Sequence, residues 1–220
     1  NENDIEHLSR HYRSNLMSSI IGIKQANLIG TVGRNKISNL AIFSSAVHIG
    51  SNPALLGIFC KPGSNSPKQT LENIVENKEF TINQVRSGII NKSHATHHKF
   101  LKDNSEFSKC NLTEYYLKDF MAPFVEEAYV KIGLSYSSRY LIEENDVFFI
   151  IGKVKHIIVK NSNYISDNGE LELAKLNSIG VSGNNSYYSL LFNKTLEYIN
   201  SSNKRLLKNI INEDSYWKGQ

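Results

Sequence analysis

Short apolar runs broken by turn residues dominate the first half of the chain. Residues 27–32 are apolar and predict a strand, and Gly33-Arg34-Asn35-Lys36 follows as a polar turn. Residues 37–49, rich in Ser, Ala, Val, Ile and Phe, predict a further strand that ends at Gly50-Ser51-Asn52-Pro53. Ala54–Cys60 is a continuous apolar run bounded by Pro53 and Pro62, the pattern of a strand buried on both faces. Two hairpin-like connections in so short a stretch point to antiparallel pairing. The period then changes. Over residues 68–77, Leu71, Ile74 and Val75 fall on one helical face, with Ser66 as candidate cap and Pro67 at the first helical position. Residues 80–85 alternate into another strand. Residues 87–107 are polar and carry His94, His97 and His98, and 112–117 predict a short helix or loop.

The second half returns to strands. Residues 128–136 alternate, with Tyr129, Lys131, Gly133 and Ser135 on one side. Val147–Val159 is strongly β-branched and aromatic, and Glu143-Glu144-Asn145-Asp146 reads as a charged turn before it. After a loop containing Asp167-Asn168-Gly169, residues 187–199 predict a helix. No internal repeat or long linker divides the chain. The expected architecture is therefore one mainly β domain over residues 1–220, a β-barrel with peripheral helices.

Composition narrows the class. In 220 residues, 40% are hydrophobic and 21% charged, which argues against a disordered, collagen-like or coiled-coil chain. The longest apolar stretches, 54–59 and 147–151, fall far short of the ~20 residues of a spanning helix. Residues 1–10 are polar and charged, without the pattern of a secretory leader. Cys60 and Cys110 lie too far apart for a metal knuckle or a redox pair, and two reduced thiols in a reducing cytoplasm is the simpler expectation. The net charge of +4 suits an anionic ligand, but the lysines and arginines are scattered, so no nucleic-acid partner is expected.

Three stretches carry candidate chemistry. Ser38-Asn39-Leu40-Ala41-Ile42-Phe43-Ser44-Ser45 embeds polar side chains in a buried-strand pattern, where each needs a hydrogen-bond partner from the backbone or from a polar ligand. Residues 61–70 collect Lys61, Ser64, Ser66, Lys68 and Thr70 around Gly63 at a predicted helix start, a combination of cations and open N–H groups that holds a phosphate. Neither a G-x-x-x-x-G-K loop nor a G-x-G-x-x-G is present. His94-Ala95-Thr96-His97-His98 suggests zinc by its histidines, yet it lacks H-E-x-x-H and any cysteine cluster, and a polar or cofactor-facing loop is the preferred reading. No G-x-S-x-G elbow supports a hydrolase.

Residues 39–57 together resemble the flavin reductase-like, FMN-binding split-barrel family, and its flavoredoxin-type branch most of all. The resemblance continues through Lys61-Pro62, residues 68–74, residues 80–83, Ala122-Pro123-Phe124-Val125-Glu126, Ile132-Gly133-Leu134, residues 151–154, Ser182-Gly183 and Tyr187. It implies a six-stranded split barrel over about residues 12–188, followed by a helical extension over about 189–220, and a homodimer that binds FMN near its interface. By that resemblance, Asn39, Leu40, Ala41, Phe43, Ser44 and Ser45 lie along the isoalloxazine and ribityl chain, while Lys61, Pro62, Ser66, Lys68 and Thr70 hold the phosphate. Thr96 and Tyr187 approach the cofactor, and His94 is the candidate proton donor. Lys61 and Lys68 stand where relatives often carry arginine, which keeps the charge and loses the bidentate fork. The implied activity is an FMN-dependent oxidoreductase using NAD(P)H. An FMN electron-transfer module fed by a redox protein, or a split barrel holding haem or a pyridoxal-type phosphate, are the alternatives.

Overall fold

A computed structural model describes residues 1–61, 69–101 and 103–196 of the 220-residue chain. In chain order its elements are α1 (Glu2–His7), α2 (Arg10–Ser19), β1 (Lys24–Gln25), β2 (Asn27–Val32), β3 (Ser38–Phe43), β4 (Val47–Ser51), β5 (Ala54–Cys60), α3 (Gln69–Asn77), β6 (Glu79–Gln84), α4 (Ile90–Ala95), α5 (Glu106–Lys109), β7 (Glu114–Leu117), β8 (Phe120–Val125), β9 (Val130–Ile142), β10 (Val147–Val159), β11 (Ile179–Ser182) and β12 (Ser186–Ser189). Residues Asn1–Leu190 form one compact unit; the remainder, Leu191–Gln220, is a second, of which residues 191–196 are described and carry no regular element.

The fold is mainly β. Among the described residues an antiparallel seven-stranded sheet runs β3-β2-β6-β9-β10-β5-β4. β2 is buried throughout because it is flanked on both sides and covered by other elements, so its apolar run needs no polar face. The sheet wraps around a cluster built on Ile29, Ile58, Ile74, Phe80, Leu134 and Ile150, all fully buried. A second cluster, with Leu28, Leu40, Val85, Phe107 and Ile179, lies on the other side of β2 and β3. β8 pairs with β7 and is pinned to the large sheet by side chains. Thr81 Oγ1 donates to Pro123 O at 2.7 Å, and Val125 N donates to Asn83 Oδ1 at 3.0 Å.

The strand expected over 37–49 is two strands at opposite edges of the sheet. The chain leaves β3 at Phe43 and crosses to the other edge, and Ser45 Oγ contacts both Phe59 N and Phe59 O at 3.2 Å. That pair of bonds ties the end of β3 to β5, so the two halves of the barrel meet there. β5 is not buried on both faces. Ile58 and Cys60 enter the core, while Ala54 is exposed and Phe59 stacks on Phe149 on the outer face with ring centroids 4.7 Å apart.

Three further expectations change. Residues 114–117 are strand rather than helix or loop, since Tyr115 and Tyr116 favour a pleated surface and Asp119, with φ 62°, turns the chain into β8. Residues 186–189 are strand, and 190–196 are irregular, where a helix was expected from 187. Gly183, with φ 61°, opens the turn that returns the chain along β11, pairing Val181 with Tyr187. Residues 197–199 and nearly all of the expected C-terminal extension lie outside the described residues. The N-terminal helices were not anticipated. α1 is capped reciprocally by Asn1 and Asp4, and neither helix buries a residue, so no apolar stripe marks them.

Candidate functional site

β3 is an edge strand whose outward N–H groups at Leu40 and Ile42 are already taken. Leu40 N donates to Glu106 Oε2 at 3.0 Å, and Ile42 N donates to Thr96 Oγ1 at 3.0 Å. Side chains from α5 and from the end of α4 thus seal the edge that a second strand would otherwise add to. Leu40 turns wholly into the core. Ala41 and Phe43 at the end of β3, and Ser44 and Ser45 just beyond it, are half-buried; Phe43 packs on the Ile29 cluster and Ser45 is engaged with Phe59.

Asn39 is buried and its amide is spent inside the protein. Nδ2 donates to Thr31 Oγ1 and to Thr70 Oγ1, each at 3.1 Å, and Asn73 Nδ2 donates to the same Thr31 hydroxyl at 3.1 Å. This network joins β2, β3 and α3. Thr70, in the first turn of α3, is therefore an acceptor for Asn39. Alongside lies a groove of about 240 Å³ lined by Asn39, Asn73, Gln69 and Asn35. Gly33 opens it: a Cβ there would stand 2.7 Å from Asn35 Oδ1 and 3.3 Å from Asn73 Oδ1.

Lys61 is exposed immediately after β5, two residues beyond the Phe59 that Ser45 binds. Pro62, Ser66 and Lys68 lie outside the described residues. The two sides of that segment are nonetheless fixed, one at the Ser45 end of β3 and the other at the Asn39 end through Thr70. Phe59 and Thr70, which bracket the lysine- and serine-bearing sequence, are thus both bonded to the β3 stretch.

α4 supplies the histidines. Thr96 Oγ1 donates to Ser93 O at 2.8 Å while accepting from Ile42, so its hydroxyl holds α4 against β3. His94 Nδ1 lies 2.9 Å from the hydroxyl of Tyr187, which arrives on β12, and the two rings meet edge to face at 5.7 Å. His97 meets His94 edge to face at 5.2 Å. Desolvation of its inner edge, and then the His94 ring, hold the His97 imidazole below its ordinary range, although its outer edge is exposed. Burial pushes the Tyr187 phenol up, so it stays protonated. His98 turns away to Phe100. Among the described residues no group of three His, Cys, Asp or Glu is placed to hold a metal ion.

Several contributors were invisible in the sequence reading. Thr31, Asn73 and Glu106 interrupt apolar patterns, and each proves buried and hydrogen-bonded. Polar residues at core-facing positions were the only available signal. Ser93 Oγ is fully buried and has no hydrogen-bond partner among the described residues.

Comparison with known proteins agrees with this geometry. A split-barrel protein from Shewanella frigidimarina NCIMB 400, carrying a provisional flavin reductase name, is 34% identical and superposes with a TM-score of 0.86 over 90% of this chain and 98% of its own. Component B of nitrilotriacetate monooxygenase from Bacillus cereus shares the fold at 17% identity, TM-score 0.77, over 87% of this chain and 96% of its own. Flavoredoxin of Desulfovibrio vulgaris (Miyazaki F) does so at 18% identity, TM-score 0.67, over 83% and 93%. The flavin reductase like domain model matches residues 22–172. With most of the barrel inside that match, the chain belongs to the flavin reductase-like domain family, a split-barrel group of flavin-related oxidoreductases.

Proposed function

We propose that the protein binds FMN and works as an NAD(P)H-dependent, flavin reductase-like oxidoreductase, as a homodimer in the cytoplasm. The observation that carries this reading is that β5 and α3, the two elements bracketing the lysine- and serine-bearing sequence, are both bonded to the β3 stretch, at Ser45 and at Asn39. A phosphate beside α3 would meet the positive end of a nine-residue helix, and the exposed Lys61, on the far side of the same connection, would supply a cation. Lys61, Pro62, Ser66 and Lys68 are assigned to that phosphate. Ala41, Phe43 and Ser44 offer a half-buried ledge for a flat ring, with Asn39 and Ser45 at its two ends. When bound, the flavin supplies the electron chemistry, and the protein binds and orients it. Ligand pockets usually hold ~300–1,000 Å³. The groove beside Asn39, at about 240 Å³, is smaller, and the carboxylates of Glu72 and Glu76 also line it. Cys60 and Cys110 are both buried and not joined in a disulfide, which suits a reducing compartment.

Purified protein should show a flavin absorption spectrum, and titration should give FMN at least ~10-fold tighter binding than riboflavin, since charge-assisted hydrogen bonds contribute about 1.5–3 kcal/mol each. Equal affinities would remove the phosphate assignment. Steady-state oxidation of NADH and NADPH with flavin present should show turnover. Bound flavin with no turnover would move the reading to an electron-transfer module.

A further inference from the structure

His94 and Tyr187 are 93 positions apart in sequence, on α4 and on the C-terminal hairpin. α4 is held to β3 through Thr96 and Ile42, so His94 stands beside the strand assigned above to the cofactor. Ile42 and Tyr187 pack against the same apolar cluster, which brings β12 to that end of β3. The bond between Nδ1 and the phenol therefore lies beside β3, on the Ile42 side of the strand.

The phenol has one hydrogen to donate. Among the described residues its hydrogen-bond partner is Nδ1 of His94. A half-buried phenol gains by giving its hydrogen to a neighbouring acceptor, and phenols donate well. Burial also keeps the phenol protonated. Donation to Nδ1 leaves the neutral imidazole with its own hydrogen on Nε2. Edge-on packing of His97 against the same ring limits its rotation.

We propose that Tyr187 is the positioning residue of His94: its hydroxyl donates to Nδ1, so the nitrogen offered to the flavin site is Nε2, bearing a hydrogen and acting as a donor. This rests on the functional reading above in assigning the site to flavin, while the tautomer itself does not. A donor at that position suits an acceptor atom on the cofactor or on the second substrate, a carbonyl oxygen or ring nitrogen. His94 then has a directed hydrogen bond to give, and Tyr187 acts only through it.

Nitrogen-15 chemical shifts of the histidine rings, recorded on the full chain without flavin near pH 8, read the tautomer directly. His94 is expected as the Nε2–H form, and Tyr187→Phe is expected to mix the two tautomers. An Nδ1–H form in the unaltered protein would overturn the proposal, whether or not the variant folds. So would a tautomer that Tyr187→Phe leaves unmoved. With flavin present, His94→Ala should slow flavin reduction, and Tyr187→Phe should slow it by about two- to tenfold, the worth of one hydrogen bond, and alter its pH profile. An unchanged rate and profile in both variants would also overturn it. If the unaltered protein binds no flavin, the functional reading fails, and the tautomer measurement still decides the dyad.

Discussion

Two titratable groups, the buried Glu106 and the largely exposed His97, make opposite predictions about single residues. Glu106 is held above its ordinary pKa of 4.5, chiefly by burial, while its bonds to Leu40 N and to its own backbone pull the other way. A carboxyl raised by the fold contributes stability that is whole below pH 4.5 and is lost as pH rises through the raised value. Glu106→Gln keeps an oxygen for Leu40 N and has no charge to desolvate. Denaturation midpoints of this variant should vary less with pH over that window and hold or rise at pH 7; a lower midpoint with the same pH slope would contradict the account. His97 has the reverse sign. Its depressed pKa contributes stability above 6.5 that fades as pH falls through the lowered value. Ser93 is simpler. Its unpartnered buried hydroxyl costs about 1–3 kcal/mol of desolvation, so Ser93→Ala should unfold at equal or higher denaturant concentration than the parent.

Elements here are positioned as much by side-chain bonds as by ladders, and that decides what the sequence disclosed. β2 and β10 were readable to the residue because their β-branched runs are flanked by clear turns. The break after Phe43 was not, since Ser44-Ser45-Ala46 contains no glycine or proline, and its cause is a partner 14 positions away at Phe59. Likewise Asn39 and Thr70 were legible as polar oddities, but their mutual bond was not. The dock of β8 on β2 offers a sharper test. A Cβ on Gly30 would stand 2.2 Å from the backbone oxygen of Pro123, which no rotamer change relieves. Gly30→Ala should therefore lower stability by about 1–3 kcal/mol or more, measured by chemical denaturation. A neutral result would mean that β8 slides freely over the sheet.

At the scale of the whole molecule, the outer face of β4, β5, β10 and β9 bears Val47, Ile49, Phe59 and Tyr140, each more than a third exposed, in register with the half-buried Phe149. Such a face suits a second copy of the chain, and a lasting dimer would bury more than ~2,000 Å². Light scattering should report twice the 24.9 kDa chain mass, and Phe59→Glu should shift it toward one; a 24.9 kDa particle with flavin bound would count against the dimer. The sequence could suggest this only by resemblance, because the patch is assembled from four strands. One further property follows from β3 and β4, neighbours in sequence placed at opposite edges of the sheet. The link between them works as a clasp on a hoop. Cutting the backbone at Ser44–Ser45 would leave every strand ladder intact, yet the bonds of Ser45 to Phe59 would no longer tie β3 to β5. A chain cut there should open first at the seam, with amide exchange accelerating in β3 and β5 before it does in β6 and β9.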